Sequence, residues 1–536
     1  MTGWHYADVW EVIADVRGDA PALLHDGHSI SWAQFDRRAD AVAASLVAGG
    51  VAQGDRIAQY LFNCPEYLEV NFAAYKAGLT PVNTNYRYKA AELVYLWSNA
   101  DAAAVVFHGS LAATIEPIRG DVPTVQRWLW VDDHHGECPD WAEPYDDIAT
   151  DPGAPGRYRA PWGRSPDDLV MIYTGGTTGR PKGVMWRHDD MYRSFQSADP
   201  QTVDLDHVRR RTLAADPGPV GLPASPQMHS TGLMFSKNIL CQGGTVVTLA
   251  ATSFDAGSML DAVAEAGVET MAIVGDAFGR PILEALDAAP GSRDLSRLTM
   301  IVSAGVMWSA ETKLGLAAHL PQCTFADLLG STEAYGLGAS VSGGTVGHAT
   351  ARFRLGERAF VLTDDGRRAG PGESGLLAVR GPGPIGYFKD PDKTAATFRE
   401  VDGQIVSVPG DWARVEDDGG ITLLGRGSLC INTAGEKVFP EEVEEALETH
   451  RAVRDSLVVG VPDARFGQAV AAVVELCEGA DVTSDQLVDH VKSQLAGYKA
   501  PRHIAIVAEV PRAPNGKGDY QRARELVAAQ VDGVTT

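Results

Sequence analysis

From Tyr173 to Val184 the chain reads YTGGTTGRPKGV, the segment whose residue types are most specific in their chemistry. Gly175, Gly176 and Gly179 permit positive φ and let backbone N–H groups come close to an oxyanion. Thr174, Thr177 and Thr178 add hydroxyl donors, and Lys182 adds a positive charge. A loop of this composition suits a polyphosphate. The alternative is a flexible surface loop, which the entry from a strand and the dense Gly/Thr/Lys spacing argue against. The order G-x-x-x-x-G-K-[ST] is absent, so the segment is not a Walker A loop.

Such a loop must be positioned by a scaffold, and the flanking pattern supplies one. Val170–Thr174 predicts a strand leading into the loop. Arg56–Phe62 predicts a strand and Pro65–Lys76 a helix stopped by Gly78. Glu269–Val274 predicts a strand followed by a helix through Ala288; Leu298–Ser303 repeats the pattern, with a helix over about 309–319. Strands alternating with helices imply an α/β fold with largely buried sheets. After Gly425 the character changes. Pro440 suits a first helical position, and Val443, Ala446 and Leu447 make a buried stripe. Glu441, Glu442, Glu444 and Glu445 lie near the positive end of that helix's dipole. Thr483 and Gln486 have capping-box spacing for a later helix that closes at Gly497. The chain therefore divides into a large α/β N-terminal domain, 1–426, and a small α+β C-terminal domain, 427–536.

Composition sets the outer limits. The 536 residues exceed what one core normally serves, roughly 250–300. With 46 Lys+Arg against 70 Asp+Glu, the net charge of −24 argues against a nucleic-acid surface. The acidic start carries no secretory signal, and no run approaches the roughly 18 apolar residues of a membrane span. Cys64, Cys138, Cys241, Cys323, Cys430 and Cys477 form no CxxC pair or zinc spacing and read as scattered thiols of a cytoplasmic protein. His134 and His135 read as loop residues, and the basic run His207–Arg211 as a solvated helix face.

Beyond the glycine loop, further motifs follow in order: PQMHSTG with His229, GSTE over 330–333, Gly410-Asp411, Gly425-Arg426 and Gly516-Lys517. Together they resemble the adenylate-forming superfamily of acyl-CoA synthetases, luciferases and peptide-synthetase adenylation domains, and the resemblance spans residues 174–517. It implies a large N-terminal domain with a mobile C-terminal lid, ATP and coenzyme A as reactants, and Mg²⁺. Lys517 would bridge the acid's carboxylate and the α-phosphate; alone, a lysine in a Pro/Asn/Gly turn is a surface residue. Glu333 would hold Mg²⁺, which favours hard oxygen ligands; by itself Thr332-Glu333 could begin a helix. Asp411 would accept ribose hydroxyls, although an Asp after Gly also suits a turn. Arg426 would touch ribose or phosphate, or form a surface ion pair. His229 would line the acid site. Ser303, Ala304 and Gly305 resemble the purine-edge loop, and Leu329, Gly330 and Ser331 the adenine platform.

The same resemblance assigns coenzyme A to the loop with Gly435 and Lys437, and to Lys499 and Arg502 in YKAPR; a solvated charge pair fits the last two as well. The lid would turn about Ser428, where Asp or Lys is usual in the family. Leu329 stands where an aromatic residue is common, and Gly176 where serine is common. GDAFGRP over 275–281, with the glycine loop, resembles an actinobacterial subgroup of fatty-acyl-CoA synthetases, some acting on steroid side-chain carboxylates. Met228, His229, Leu233, Phe278 and Gly330 would form a largely apolar acid pocket, with Asp276 a helix N-cap. The resemblance implies a carboxylic acid and CoA as partners and allows a homodimer. Its competitors are an acyl-AMP ligase serving a carrier protein, a luciferase-like enzyme and a non-catalytic nucleotide-binding protein.

Overall fold

A computed structural model describes the chain except residues 1–2, 151–156, 175–179, 197–202, 307, 344–351, 427–428, 430, 434–435, 464–466, 514–516 and 535–536. Its β-structure falls into three sheets. The largest has fifteen strands. Six of them run parallel side by side, in the order Pro21–His25, Thr245–Thr248, Val220–Pro223, Thr270–Ile273, Met300–Ala304 and Thr324–Ser331. From Thr324–Ser331 the sheet continues antiparallel through Ala334–Gly343, Arg352–Leu355, Gly420–Arg426 and Asp411–Val415.

The second sheet has eight strands. Thr80–Asn83, Arg56–Tyr60, Ala102–His108 and Arg127–Val131 are its parallel core, and the hairpin Leu169–Thr174/Lys182–Arg187 adds to one side. The helix after the first strand spans Pro65–Ala77 with Gly78 as its left-handed cap. It is buried nearly all round, as a helix sandwiched between layers must be. The expected strand–helix pairs at 270–288 and 300–319 are both present, the second helix capped by the Ser309 hydroxyl. Asp276 departs from expectation. Helix Gly275–Ala288 is capped at Val274, and Asp276 sits in its first turn, where Oδ1 accepts the Ser309 N–H at 3.1 Å. The tryptophans serve packing: Trp10, Trp32, Trp97, Trp186 and Trp308 are fully buried.

The third sheet, of five strands, is made entirely of residues 431–507. Its long hairpin Val453–Asp463/Gly467–Leu476 alternates sides. Val458, Val470 and Ala472 pack beneath helices Pro440–Glu448 and Ser484–Gln494; Leu457, Val459 and Ala471 pack beneath Tyr520–Val534. Thr483 and Gln486 form the expected capping box. The helix ends earlier than predicted, at Gln494, because Leu495 turns extended; Gly497 opens a short 3₁₀ turn instead. Glu444, expected to lie in the helix-dipole field, is buried and accepts the Val458 N–H at 2.7 Å. Among the described residues no helix is long and apolar enough to cross a membrane. Cys64, Cys138, Cys241, Cys323 and Cys477 are free thiols.

Candidate active site

Parallel sheets open a crevice beyond the C-terminal ends of their strands, and every motif from 174 to 333 leaves a strand at such an end. Two asparagines, the buried Asn83 and the half-buried Asn63, lock the ends of the two large sheets together. Asn83 donates to the Tyr173 carbonyl at 2.9 Å and to the Met228 carbonyl at 2.6 Å, and accepts the Tyr173 N–H at 2.7 Å. Asn63 donates to the carbonyls of Pro223 and Ser225 and accepts the Gln227 N–H at 2.6 Å. The strand before the glycine loop and the turn before His229 are thus held in one frame.

The glycine loop closes a β-hairpin. Thr174 lies opposite Lys182 on the antiparallel pair, and Lys182 forms an ion pair with Asp390. Gly175, Gly176, Thr177, Thr178 and Gly179 lie outside the described residues. On the other side of the crevice, the Ser303 hydroxyl accepts the Gly275 N–H at 2.9 Å, tying two strand ends together. Ala304 ends its strand, and Gly305 follows at φ +99°. A Cβ built on Gly305 would meet nothing nearer than 3.8 Å, so space is open but the backbone favours glycine. Leu329 packs half-buried on the apolar cluster around Leu337, while its neighbour Leu328 is the exposed one.

Gly330 and Ser331 lie in a bulge, and Thr332-Glu333 makes the tight turn between two antiparallel strands rather than a helix start. The turn is held at three points. Trp186 Nε1 donates to the Thr332 carbonyl at 2.9 Å, the Ser407 hydroxyl to the Glu333 carbonyl at 2.7 Å, and the Tyr387 hydroxyl to Glu333 Oε1 at 2.8 Å. Glu333 Oε2 has no hydrogen bond among the described residues, and the buried Ser331 Oγ also lacks a partner there. A carboxylate aimed by one oxygen with the other available fits a hard divalent cation completed by phosphate and water.

His229 caps helix Ser230–Cys241, its N–H bonded to the Pro226 carbonyl at 3.0 Å. Its Nε2 is shielded from solvent and has no partner among the described residues. Burial first, then the charges of Lys517 and Arg87, push its pKa down to about 4, so the ring is neutral near pH 7. Lys517, from the far end of the chain, therefore stands close enough for its charge to be felt at His229. It rises from a turn closed by the Arg512–Gly518 bridge and by the Ala513 N–H to Lys517 carbonyl bond of 2.7 Å. Around the acid side, Met228 and Leu233 are buried, and the Phe278 ring packs at a tilt against Phe254, centroids 4.6 Å apart, Phe254 being 40% exposed.

Asp411 and Arg426 face each other as direct cross-strand partners. Two of the small unit's other candidates are described by their neighbours within that unit. Lys499 is 2.5 Å from Glu442 on the neighbouring helix, and Lys437 lies opposite Asn432 in the third sheet. Gly435 and Ser428 lie outside the described residues. His135 is an exposed loop residue, and among the described residues no group of His, Cys, Asp and Glu forms a metal cage. Sequence reasoning missed Asn63, Asn83, Tyr387, Asp390 and Ser407. None sits in a spacing pattern, and each matters only through a partner remote in sequence.

The AMP-binding enzyme family model matches residues 10–388, and the AMP-binding enzyme C-terminal domain model matches 442–517. A relative from Mycolicibacterium smegmatis, named medium/long-chain-fatty-acid–CoA/3-oxocholest-4-en-26-oate–CoA ligase, is 37% identical over 97% of this chain and 96% of its own. A 3-oxocholest-4-en-26-oate–CoA ligase from Rhodococcus rhodochrous is 38% identical over 97% and 95%. Among solved structures, MatB from Rhodopseudomonas palustris is 27% identical over 97% of this chain and 98% of its own. Its ATP-bound form superposes with a TM-score of 0.80 and its apo form with 0.72. The chain belongs to the AMP-binding enzyme family, among its ATP-dependent acyl-CoA ligases.

Proposed function

We propose that this ligase activates a carboxylic acid with a long alkyl or steroid-derived tail. The observation that carries the reading is the approach of Lys517 to the neutral His229, whose Nε2 is shielded from solvent, beside the buried Met228 and Leu233. In the first half-reaction, a carboxylate oxygen attacks the α-phosphorus of ATP and pyrophosphate leaves, giving acyl-AMP. Two anions must meet, so positive charge has to be fixed at the reacting centre. Lys517 supplies it without competition from His229, which stays neutral. The hairpin loop with Thr174, Gly175, Gly176, Thr177, Thr178, Gly179 and Lys182 holds the β- and γ-phosphates. Asp411 and Arg426 hold the ribose, and Ser303–Gly305 with Leu329–Thr332 frame the purine. Glu333, aimed by Tyr387, would hold Mg²⁺, whose charge offsets that of the phosphates when bound.

In the second half-reaction, the CoA thiol loses its proton to solvent, its sulfur attacks the acyl carbon, and AMP leaves with the C–O electron pair. We assign residues 427–536 to a lid that swings about Ser428 between the two steps, as lids that complete a site do. Swinging would withdraw Lys517 and present Gly435 and Lys437 to the pantetheine arm. The higher superposition on the ATP-bound neighbour than on its apo form supports reading the present arrangement as the adenylating one. Met228, Leu233 and Phe278 favour apolar tails, and the names of the relatives support fatty-acid or steroid side-chain carboxylates. Incubating purified protein with ATP, Mg²⁺, CoA and a panel of fatty and steroid side-chain acids tests this by AMP release and acyl-CoA formation. Acyl-AMP that accumulates without thioester, or turnover confined to short polar acids, would overturn it.

A further inference from the structure

One contact between the acid-side helix and the small unit has no part in the scheme above. Arg280 lies on helix Gly275–Ala288, two residues after Phe278. Its Nη1 donates to the carbonyl of Arg454, in the third sheet, at 2.6 Å. Its Nη2 is 3.1 Å from Asp276 one turn earlier, and Asp276 is itself fixed by the Ser309 N–H. A bidentate or doubly held guanidinium is a directional clamp rather than a loose surface charge.

The residue after Arg454 continues the path. Asp455 accepts from Arg512 twice, from Nε at 2.7 Å and from Nη2 at 2.5 Å. Arg512 is the base of the turn that carries Lys517, through its bridge to Gly518. Glu448 feels the same groups: burial and Asp455 raise its pKa to about 7, while the charges of Arg280 and Arg512 pull it back. The large sheet and the small unit also approach closely where Gly425 at φ +109° leaves room for the Glu441 carboxylate that a Cβ would overlap. From this geometry we infer that Arg280 is a positioning residue: it docks the 454–455 strand so that the Arg512-based turn places Lys517 over the reacting carboxylate.

This rests on the two-step reading proposed above. In that reading the clamp exists only while the lid is in its adenylating position, so its loss should be felt in one half-reaction alone. Small misplacements of a reacting group are costly, so Arg280→Met should lower acid-dependent ATP–pyrophosphate exchange about 10-fold or more. Thioester formation from supplied acyl-AMP and CoA should stay within about twofold, and KM for the acid should not change. Asp455→Asn, which loosens the same path at its next joint, should show the same selectivity. The double variant should be no worse than the weaker single one, since both act through one path. Arg280→Lys, keeping one donor, should recover part of the exchange rate. Equal loss in both half-reactions, a change confined to acid KM, or exchange at the unsubstituted rate would each overturn the inference. An unsubstituted protein without acid-dependent exchange would instead overturn the two-step reading itself.

Discussion

Lys237→Met is expected to stabilise the protein, and to do so more at low pH than at high pH. Lys237 is 1% exposed, on the helix that His229 caps. Its Nζ has no carboxylate at ion-pair distance among the described residues. Instead it lies 3.6 Å from the centre of the Tyr6 ring, 5.1 Å from that of Tyr75 and 3.2 Å from Met191 Sδ. Burial pushes its pKa from 10.5 down to about 7. The folded state therefore holds fewer protons than the unfolded chain between those values, so stability rises with pH across that window. Below pH 7 both states are charged, and the buried ammonium costs its full penalty. Above about pH 10.5 neither is charged, and the penalty is gone.

At about 1.4 kcal/mol per pKa unit, the penalty is at most ~5 kcal/mol, and a desolvated cation–π contact returns ~2 of it. Methionine fills similar volume without the charge, so the net gain near pH 6 is ~3 kcal/mol, shrinking to less than ~1 near pH 10. Thermal unfolding of the two proteins at about pH 6, 8 and 10, compared at matched ionic strength, measures this. Thioester-forming activity should stay within about twofold, because Lys237 touches neither reactant. A destabilised variant, or a stability difference that does not vary with pH, would refute the argument.

Four other outcomes follow from the site. Lys517→Ala should reduce adenylation by about 100-fold or more while thioester formation from supplied acyl-AMP is spared; equal losses would contradict lid alternation. Glu333→Gln should raise the Mg²⁺ concentration needed for half-maximal rate, and Tyr387→Phe should do so by less, since it removes only the bond that aims the carboxylate. Asp411→Asn should raise KM for ATP about 10-fold with little change in acid KM, as measured by exchange kinetics. His229, with its pKa near 4, is neutral throughout the working range. His229→Asn should therefore leave any ionisation between about pH 5.5 and 8 in the rate profile where it was, and its disappearance would show that His229 titrates there.

What was legible in the sequence was local. Periodicity predicted strands and helices over 56–76, 170–174, 269–288 and 298–319, within a few residues of the observed elements, because each is an amphipathic or buried run with its own stop. Ordered motifs singled out Lys517, Glu333 and Asp411 as candidates, because each motif is read from neighbours in the chain. The framework that aims them was not legible. Asn83 joins strands whose partners are 90 and 145 residues away. Tyr387 reaches Glu333 across 54 residues, and Ser407 across 74. Such bonds leave no period or spacing. The ion pair of Lys499 with Glu442 was not legible for the same reason, since Glu442 is adjacent in space and not in sequence. Asp276 looked like a cap because residue type alone does not show that Val274 already ends the extended backbone.

The strand pairing of Asp411 with Arg426 has a thermodynamic side. Arg426 is the last residue of the large sheet before the segment that leads to the third sheet, so on the proposed assignment the nucleotide's ribose is gripped at the root of the lid's tether. Nucleotide affinity and lid orientation are then linked quantities. By reciprocity, whatever factor ATP and AMP impose on the balance between lid positions, the lid imposes on the affinity for ATP and AMP. A substitution in the tether that favours one position should thus be visible in equilibrium nucleotide binding alone, with no acid, no CoA and no turnover in the cell.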